Sequence, residues 1–120
     1  LLALALLAAG CLADKTIQIG ADDNGQQIEL KAGQELAITL DANPTTGYSW
    51  EVDSLSEEVI RLAGEPEYES SSNLLGAGGT QTMRFETLQA DKCTLTLVYH
   101  RPWEKDVAPL ETFSVEIIVH

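Results

Sequence analysis

Short segments in which apolar and polar residues alternate are the feature that most limits how this chain folds. Leu36, Ile38 and Leu40 recur at every second position, and the segments 93–100 and 111–119 repeat the pattern. A period of two places the apolar side chains on one face of a β-strand. After residue 12, no segment of ten or more residues has the apolar spacing of an amphipathic helix. The pattern therefore predicts an all-β fold.

Turn residues divide the chain into short strands, a pattern that is typical of a β-sandwich or barrel. The chain has 120 residues, which suits one domain. The length after residue 16 suits an immunoglobulin-like sandwich of about 100 residues. We therefore predict a single all-β, immunoglobulin-like β-sandwich over residues 16–120. Its predicted strands are residues 16–19, 27–30, 35–40, 48–52, 59–62, 67–70, 80–87, 93–100 and 111–119.

The charge of the chain restricts its partners. It carries 19 acidic and 7 basic side chains, for a formal net charge of −12. Nucleic-acid binding needs a basic face, so we expect no nucleic-acid partner. The negative charge is explained most simply by solubility. Electrostatic steering toward a basic partner is the alternative explanation. We expect the folded domain to be a monomer.

Residues 1–10 contain no polar side chain. They are too few for a membrane-spanning helix of about 20 residues. They have the length of the apolar region of a signal peptide, which we expect to continue upstream. Residues 8–11, Ala-Ala-Gly-Cys, resemble the lipobox of bacterial lipoproteins. That resemblance implies cleavage before Cys11, lipid attachment to its thiol and a tether over residues 11–15. An ordinary signal peptide cleaved nearby is the alternative.

The lipobox also implies a location for the protein. Two or more acyl chains anchor a protein stably to a membrane. Leu12 follows Cys11, where some lipoproteins of the inner membrane have Asp. We therefore expect an exported lipoprotein on the outer membrane, facing the periplasm.

Residue types that carry catalysis are sparse. His100 and His120 are the only histidines, and metal sites need clustered ligands. The chain has no Gly-x-Ser-x-Gly nucleophile turn, and the glycines at 76–79 lack the Lys-Ser/Thr of a phosphate loop. We therefore predict a protein that is not an enzyme and has no metal and no cofactor. Cys93 shares the parity of its strand's apolar residues, so we expect a free thiol in the core and not a reactive group.

A rigid, polar-tipped loop is predicted between the third and fourth strands. Pro44 fixes its own φ and biases Asn43 toward extended geometry, while Gly47 permits positive φ. Thr45 and Thr46 are stiff at χ1 and present hydroxyl groups. Such preordering removes an entropy cost from binding. A plain turn is the alternative, because Asn-Pro and Gly are normal turn signals.

Two further loops carry unusual residues. Arg101, Pro102 and Trp103 follow the eighth predicted strand, and exposed Trp and Arg are favoured anchors of binding interfaces. The alternative is that Trp103 folds back on the edge of the core. Residues 73–79 place Leu75 beside glycines, which permit close approach to a partner and pairing with it as an added strand. Flexibility alone is the alternative for this loop.

Taken in order, these segments resemble the chagasin-like inhibitors of papain-family cysteine proteases. That family is marked by an NPTTGY or NPTTGF loop, a GxGG loop and an RPW or RPF loop. We name them the first loop (residues 43–48), the second loop (residues 76–79) and the third loop (residues 101–103), and each motif is complete here. The resemblance covers about residues 16–119 and implies the same immunoglobulin-like sandwich. The residues to which it assigns protease binding are Asn43, Pro44, Thr45, Thr46, Gly47, Tyr48, Leu75, Gly76, Gly78, Gly79, Arg101, Pro102 and Trp103.

The resemblance also implies a mechanism, that of a reversible inhibitor which occludes the active-site cleft. The first loop enters the cleft, where Thr45 and Thr46 contact the catalytic centre. The second loop runs along the unprimed side through backbone hydrogen bonds. Trp103 packs on the aromatic wall of the primed side, and Arg101 and Pro102 position it. With the lipobox, the chain resembles a bacterial, membrane-tethered member of the family.

Two other functions compete with inhibition. One is a lipoprotein adhesion or carbohydrate-binding module that uses Trp103 and Tyr48 as stacking platforms. The other is a hydrolase, against which the lack of a convincing nucleophile and base pair argues.

Overall fold

Two β-sheets form the protein in the computed structural model, which describes residues 15–71 and 78–120. The strands are β1 (Ile17–Ile19), β2 (Gln27–Leu30), β3 (Glu35–Ala42), β4 (Ser49–Ser54), β5 (Ile60–Leu62), β6 (Glu67–Ser70), β7 (Gly79–Thr87), β8 (Asp91–His100) and β9 (Glu111–Val119). Short 3₁₀ turns cover Ala21–Asp23 and Pro44–Thr46. No helix in these two ranges is long and apolar enough to cross a membrane. The predicted signal peptide, Cys11, most of the tether, Leu75 and Gly76 lie outside the described residues.

The strands are arranged as a sandwich of two sheets. The first sheet has the order β1-β3-β7-β5, and β6 also pairs with β7. The second sheet has the order β2-β9-β8-β4. The pairs β1–β3 and β2–β9 are parallel, and the other pairs are antiparallel. This arrangement confirms the predicted immunoglobulin-like β-sandwich.

The alternating residues of both sheets meet in one core. Leu36 and Ile38 of β3 and Phe85 of β7 face Leu95 and Leu97 of β8, and all five are inaccessible to solvent. Burying each such side chain stabilises the fold by about 1.5–3 kcal/mol. The same parity brings the free thiol of Cys93 partly into this core, as predicted.

Each predicted segment overlaps a strand, and the differences lie at strand ends near the loops. β3 continues to Ala42, two residues past the predicted end at 40, because Ala42 still pairs with Gly79 of β7. β4 begins at Ser49 rather than at 48, because Gly47 has φ 85° and ends the extended backbone. Backbone pairing, which hydrophobic alternation does not report, sets these boundaries.

A buried glutamine joins the two sheets beneath the loop end. Gln81 of β7 is only 1% exposed, and its amide nitrogen donates to the carbonyl oxygen of Trp50 at 2.8 Å. The backbone N–H of Trp50 donates in return to Gln81 Oε1 at 2.9 Å. Trp50 lies in β4, the end strand of the second sheet, so the side-chain amide occupies the place of a neighbouring strand. The indole N–H of Trp50 also donates to the Asp41 carbonyl at 3.0 Å, which fixes β4 against β3.

Candidate binding site at the loop end of the sandwich

Strand register brings the three predicted loops to one end of the molecule. Ala42, before the first loop, pairs with Gly79 at the end of the second loop. Ser49, after the first loop, pairs with His100, which precedes the third loop. Three chain segments that are far apart in sequence are therefore neighbours in space.

Hydrogen bonds within the first loop fix its shape. Asn43 is extended, Pro44–Thr46 form a 3₁₀ turn, and Gly47 is left-handed. The side-chain oxygen of Asn43 accepts from the Thr45 N–H at 3.2 Å and from the Thr45 hydroxyl at 2.6 Å. The Thr46 hydroxyl donates to the Asn43 carbonyl at 2.7 Å and accepts from the Tyr48 N–H at 3.3 Å. Both threonine hydroxyls hold the loop itself, and their outer surfaces remain exposed.

Arg101 of the third loop reaches across to the first loop. Its Nε donates to the Thr46 carbonyl oxygen at 3.1 Å. Its guanidinium lies over the Tyr48 ring, 4.5 Å from the ring centroid, in a cation–π arrangement. Its Nη1 lies 3.7 Å from a carboxylate oxygen of Glu104. The arginine is therefore engaged on three sides by neighbours in its own chain.

An aromatic stack connects the first loop to the core. The rings of Tyr48 and Tyr99 stack with centroids 5.3 Å apart, and Trp50 lies 5.1 Å from Tyr99. The buried Tyr99 hydroxyl accepts a hydrogen bond from the Asn43 N–H at 3.0 Å. Both ends of the first loop are thus attached to a core residue of β8.

Trp103 presents the largest exposed apolar surface of the site. It is 66% exposed, and it has not folded back into the core. One part of its indole instead lies over Gly47 of the first loop. Pro102 beside it is exposed. The indole is therefore exposed at the loop tip, and its contact with a protease stays a prediction.

The described part of the second loop is held as the closing end of a hairpin. The N–H and hydroxyl of Ser71 both donate to the Gly78 carbonyl oxygen. A side chain at Gly79 would overlap the carbonyl oxygen of Glu69 in β6, so glycine permits the close approach of β6 and β7. A side chain at Gly78 would meet open space. Protease binding by Gly78 and Gly79, and by Leu75 and Gly76 beyond the described residues, stays a prediction.

A groove of about 490 Å³ separates the first loop from the second, and sequence reasoning did not predict it. Asn43 and Gly79 line its two sides, and Asp41, Glu69 and Glu111 add carboxylates. Because the lining residues come from five strands and from the loops between them, only the folded register reveals the groove. On β6 beside it, burial and, secondarily, the charges of Glu51 and Tyr99 raise the pKa of the Tyr68 phenol.

The described residues at this end do not form a metal-binding cluster. No group of three or more His, Cys, Asp or Glu side chains in residues 15–71 and 78–120 is arranged to hold a metal ion. His100 bonds Glu51 at 2.8 Å, and His120 bonds Glu29 at 2.7 Å. The described site instead presents backbone groups, hydroxyls and aromatic faces, which are suited to binding.

The fold and the site define an immunoglobulin-like binding module that presents preformed loops at one end. Residues 29–117 match the family described as Chagasin family peptidase inhibitor I42, and the chain belongs to this family. As a member it is an inhibitor of papain-like cysteine proteases and not an enzyme.

Relatives and solved structures agree with this assignment. The chain is 35% identical over 101 residues to amoebiasin-1 of Entamoeba histolytica, covering 82% of this chain and 94% of the relative. It is 31% identical over 97 residues to chagasin of Trypanosoma cruzi, covering 77% and 87%. The crystal structure of the cysteine protease inhibitor EhICP2 from Entamoeba histolytica superimposes with a TM-score of 0.77 at 20% identity, covering 88% of this chain and 96% of the other. That last likeness bears on the fold alone.

Proposed function

We propose that this chain occludes the active-site cleft of a papain-like cysteine protease reversibly, with its three loops acting as one wedge. The observation that carries the proposal is the first loop, whose threonine hydroxyls, left-handed Gly47 and contact with Arg101 hold it in one shape. A loop ordered before binding loses little entropy when it docks. Occlusion needs no nucleophile, base or metal from the inhibitor.

Each loop has its own part in the proposed complex. The first loop lies over the catalytic Cys and His of the protease, with the exposed surfaces of Thr45 and Thr46 toward them. The indole of Trp103 packs on the primed side of the cleft, where its exposed face replaces water with an apolar contact. The second loop follows the unprimed side through backbone hydrogen bonds.

Titration of papain with the purified chain from residue 12 onward tests this function. We expect stoichiometric loss of activity, with activity recovered on dilution. Trypsin, a serine protease, serves as the control enzyme and should keep its activity. Full papain activity in the presence of micromolar inhibitor would contradict the proposal.

The adhesion or carbohydrate-binding alternative is less well supported by the site. Tyr48 is enclosed between the Tyr99 ring and the Arg101 guanidinium, so its faces are not open to a sugar. Of these two rings, Trp103 is the one with an open face. A glycan site built on paired stacking platforms would need both rings.

The lipobox supports a further proposal, that Cys11 carries lipid and tethers the inhibitor domain to the outer membrane, facing the periplasm. Residues 11–15 would form the tether and would hold the domain close to the membrane surface. Expression in bacteria with a complete signal sequence, followed by membrane fractionation, tests this. Cys11→Ser should move the protein to the soluble fraction, and a wild-type protein that is already soluble would contradict the anchor. Light scattering of the domain released from the membrane tests whether it is a monomer.

A further inference from the structure

We infer that Arg101 is a positioning residue, which holds the first loop in its binding shape and makes no essential contact with the protease itself. The inference rests on the proposed function and refines it, because the resemblance assigns Arg101 to protease binding. It also changes the residue on which Arg101 acts. The resemblance implies that Arg101 positions Trp103, whereas the structure shows it bonded to the first loop.

The contacts of Arg101 show where its side chain is used. Its Nε donates to the Thr46 carbonyl, its guanidinium covers the Tyr48 ring, and its Nη1 faces the Glu104 carboxylate. The side chain is 36% exposed, since it lies along the first loop. An arginine that served as a direct anchor would instead extend its planar fork toward the partner.

The Thr46 carbonyl is a position that needs an external donor. It belongs to the last residue of the 3₁₀ turn Pro44–Thr46. Carbonyl groups in the last turn of a helix have no partner within it, and an arginine near that end satisfies them. The internal bonds of the turn are Thr46 N–H to Asn43 O at 3.2 Å and Gly47 N–H to Pro44 O at 3.1 Å. Arg101 supplies the bond that the turn cannot make for itself.

The third loop holds two consecutive residues of the first loop. Arg101 binds the carbonyl of Thr46, and the Trp103 indole lies over Gly47. The third loop is itself closed by a hydrogen bond from the Glu104 N–H to the Arg101 carbonyl at 3.0 Å. The two loops therefore form one unit before a protease arrives.

A positioning role and a contact role differ in their kinetic signatures. If Arg101 keeps the free loop in its competent shape, its removal lowers the population that can bind. The apparent affinity then falls in proportion to that population, through the association rate. If Arg101 contacts the protease, its removal weakens the finished complex and raises the dissociation rate, as most interface mutations do.

Rapid-mixing kinetics with papain distinguish the two roles. Arg101→Met removes the donor and the charge, and Arg101→Lys keeps the charge but loses the planar fork. For both variants we expect the association rate to fall by about tenfold. This is the change expected if only about a tenth of the molecules keep the first loop in its binding shape. Dissociation should change by less than about threefold. Dissociation that accelerates while association is unchanged would overturn the inference.

A matched control separates position from charge. Arg61 of β5 is exposed and forms an ion pair with Glu86 at 3.0 Å. It lies beside the end of β7 that is farther from the loops. Arg61→Met changes the net charge as Arg101→Met does. Because Arg61 lies away from the loops, this variant should leave both rate constants at the wild-type values. An equal slowing of association by both variants would assign the effect to long-range charge and would overturn the inference.

Amide hydrogen exchange of the free protein tests the inference without a protease. In Arg101→Met, the amides of Thr46, Gly47 and Tyr48 should exchange faster than in the wild type, while those of β8 should not change. Unchanged exchange at these three amides would overturn the inference. A wild-type protein that fails to inhibit papain would contradict the proposed function, and exchange would still decide the role of Arg101.

Discussion

The indole of Trp103 occupies the space that a side chain at Gly47 would need. A Cβ atom built on Gly47 would overlap Cη2 of the ring and lie 3.1 Å from Cζ2. Gly47 also has φ 85°, a conformation that residues with a side chain rarely adopt. Glycine is thus required here both for the backbone and for the contact between the first and third loops.

Gly47→Ala should therefore weaken inhibition as well as the fold. The left-handed backbone alone costs about 1–2 kcal/mol for a residue with a side chain. The added methyl must also push the indole away from the first loop. We expect the inhibition constant for papain to rise by at least about tenfold, which corresponds to about 1.4 kcal/mol.

Gly64→Ala is the matched control for this change. Gly64 has φ 79°, and a Cβ there would meet open space, so it shares the backbone strain without the clash. It should lower the unfolding free energy but keep the wild-type inhibition constant. If both variants inhibit equally well, contact between Gly47 and Trp103 has no role in binding.

The hydroxyl of Thr46 should matter more than its methyl group. Thr46→Val keeps the shape but loses the bonds to the Asn43 carbonyl and from the Tyr48 N–H, each worth about 0.5–1.5 kcal/mol. Thr46→Ser keeps both. We expect a papain inhibition constant near wild type for Ser and about tenfold weaker for Val. Equal inhibition by the Val variant and the wild type would show that these bonds do not order the loop.

Much of this architecture is predictable from the sequence, because the physics that sets it is local. Alternation at Leu36, Ile38 and Leu40 reports which face of β3 is buried, and the structure confirms it. Asn43 and Gly47 indicate a tight loop through backbone geometry alone, and that loop is present. These features depend on neighbours in the chain and not on the register of distant strands.

The contacts that join the loops are not predictable in this way. Nothing near Arg101 in the sequence indicates that its guanidinium bonds the carbonyl of Thr46, 55 residues earlier. From the sequence alone, a glutamine at a buried strand position looks unfavourable because its amide would lack partners. In the structure, the Gln81 side chain bonds the backbone of Trp50. Both contacts follow from strand pairing between distant segments. The groove beside Tyr99 arises for the same reason.

Gln81→Leu should destabilise the protein strongly. The Gln81 side chain bonds the backbone of Trp50 on the edge of β4 that has no neighbouring strand among the described residues. The substitution leaves the N–H and carbonyl of Trp50 buried without a partner, and each such group costs about 1–3 kcal/mol. Urea denaturation should show a lower midpoint with an unchanged slope. Gln27→Leu is the control, because the Gln27 side chain is exposed and bonds the side chain of Glu116 and not a buried backbone group. Equal midpoints for the two variants would contradict the role assigned to Gln81.

Trp103→Ala should separate binding from folding most clearly. The indole is 66% exposed, so little buried surface is lost when it is truncated, and the thermal midpoint should stay within about 2 °C of wild type. Exposed Trp residues at the centre of interfaces commonly contribute 2 kcal/mol or more, so we expect inhibition of papain to weaken by about 30-fold. Leu62→Ala is the control, because Leu62 is 42% exposed on β5, which pairs with the end of β7 farther from the loops. A Trp103 variant that unfolds early would make the indole a structural residue, and one that inhibits as well as the Leu62 variant would remove it from the interface.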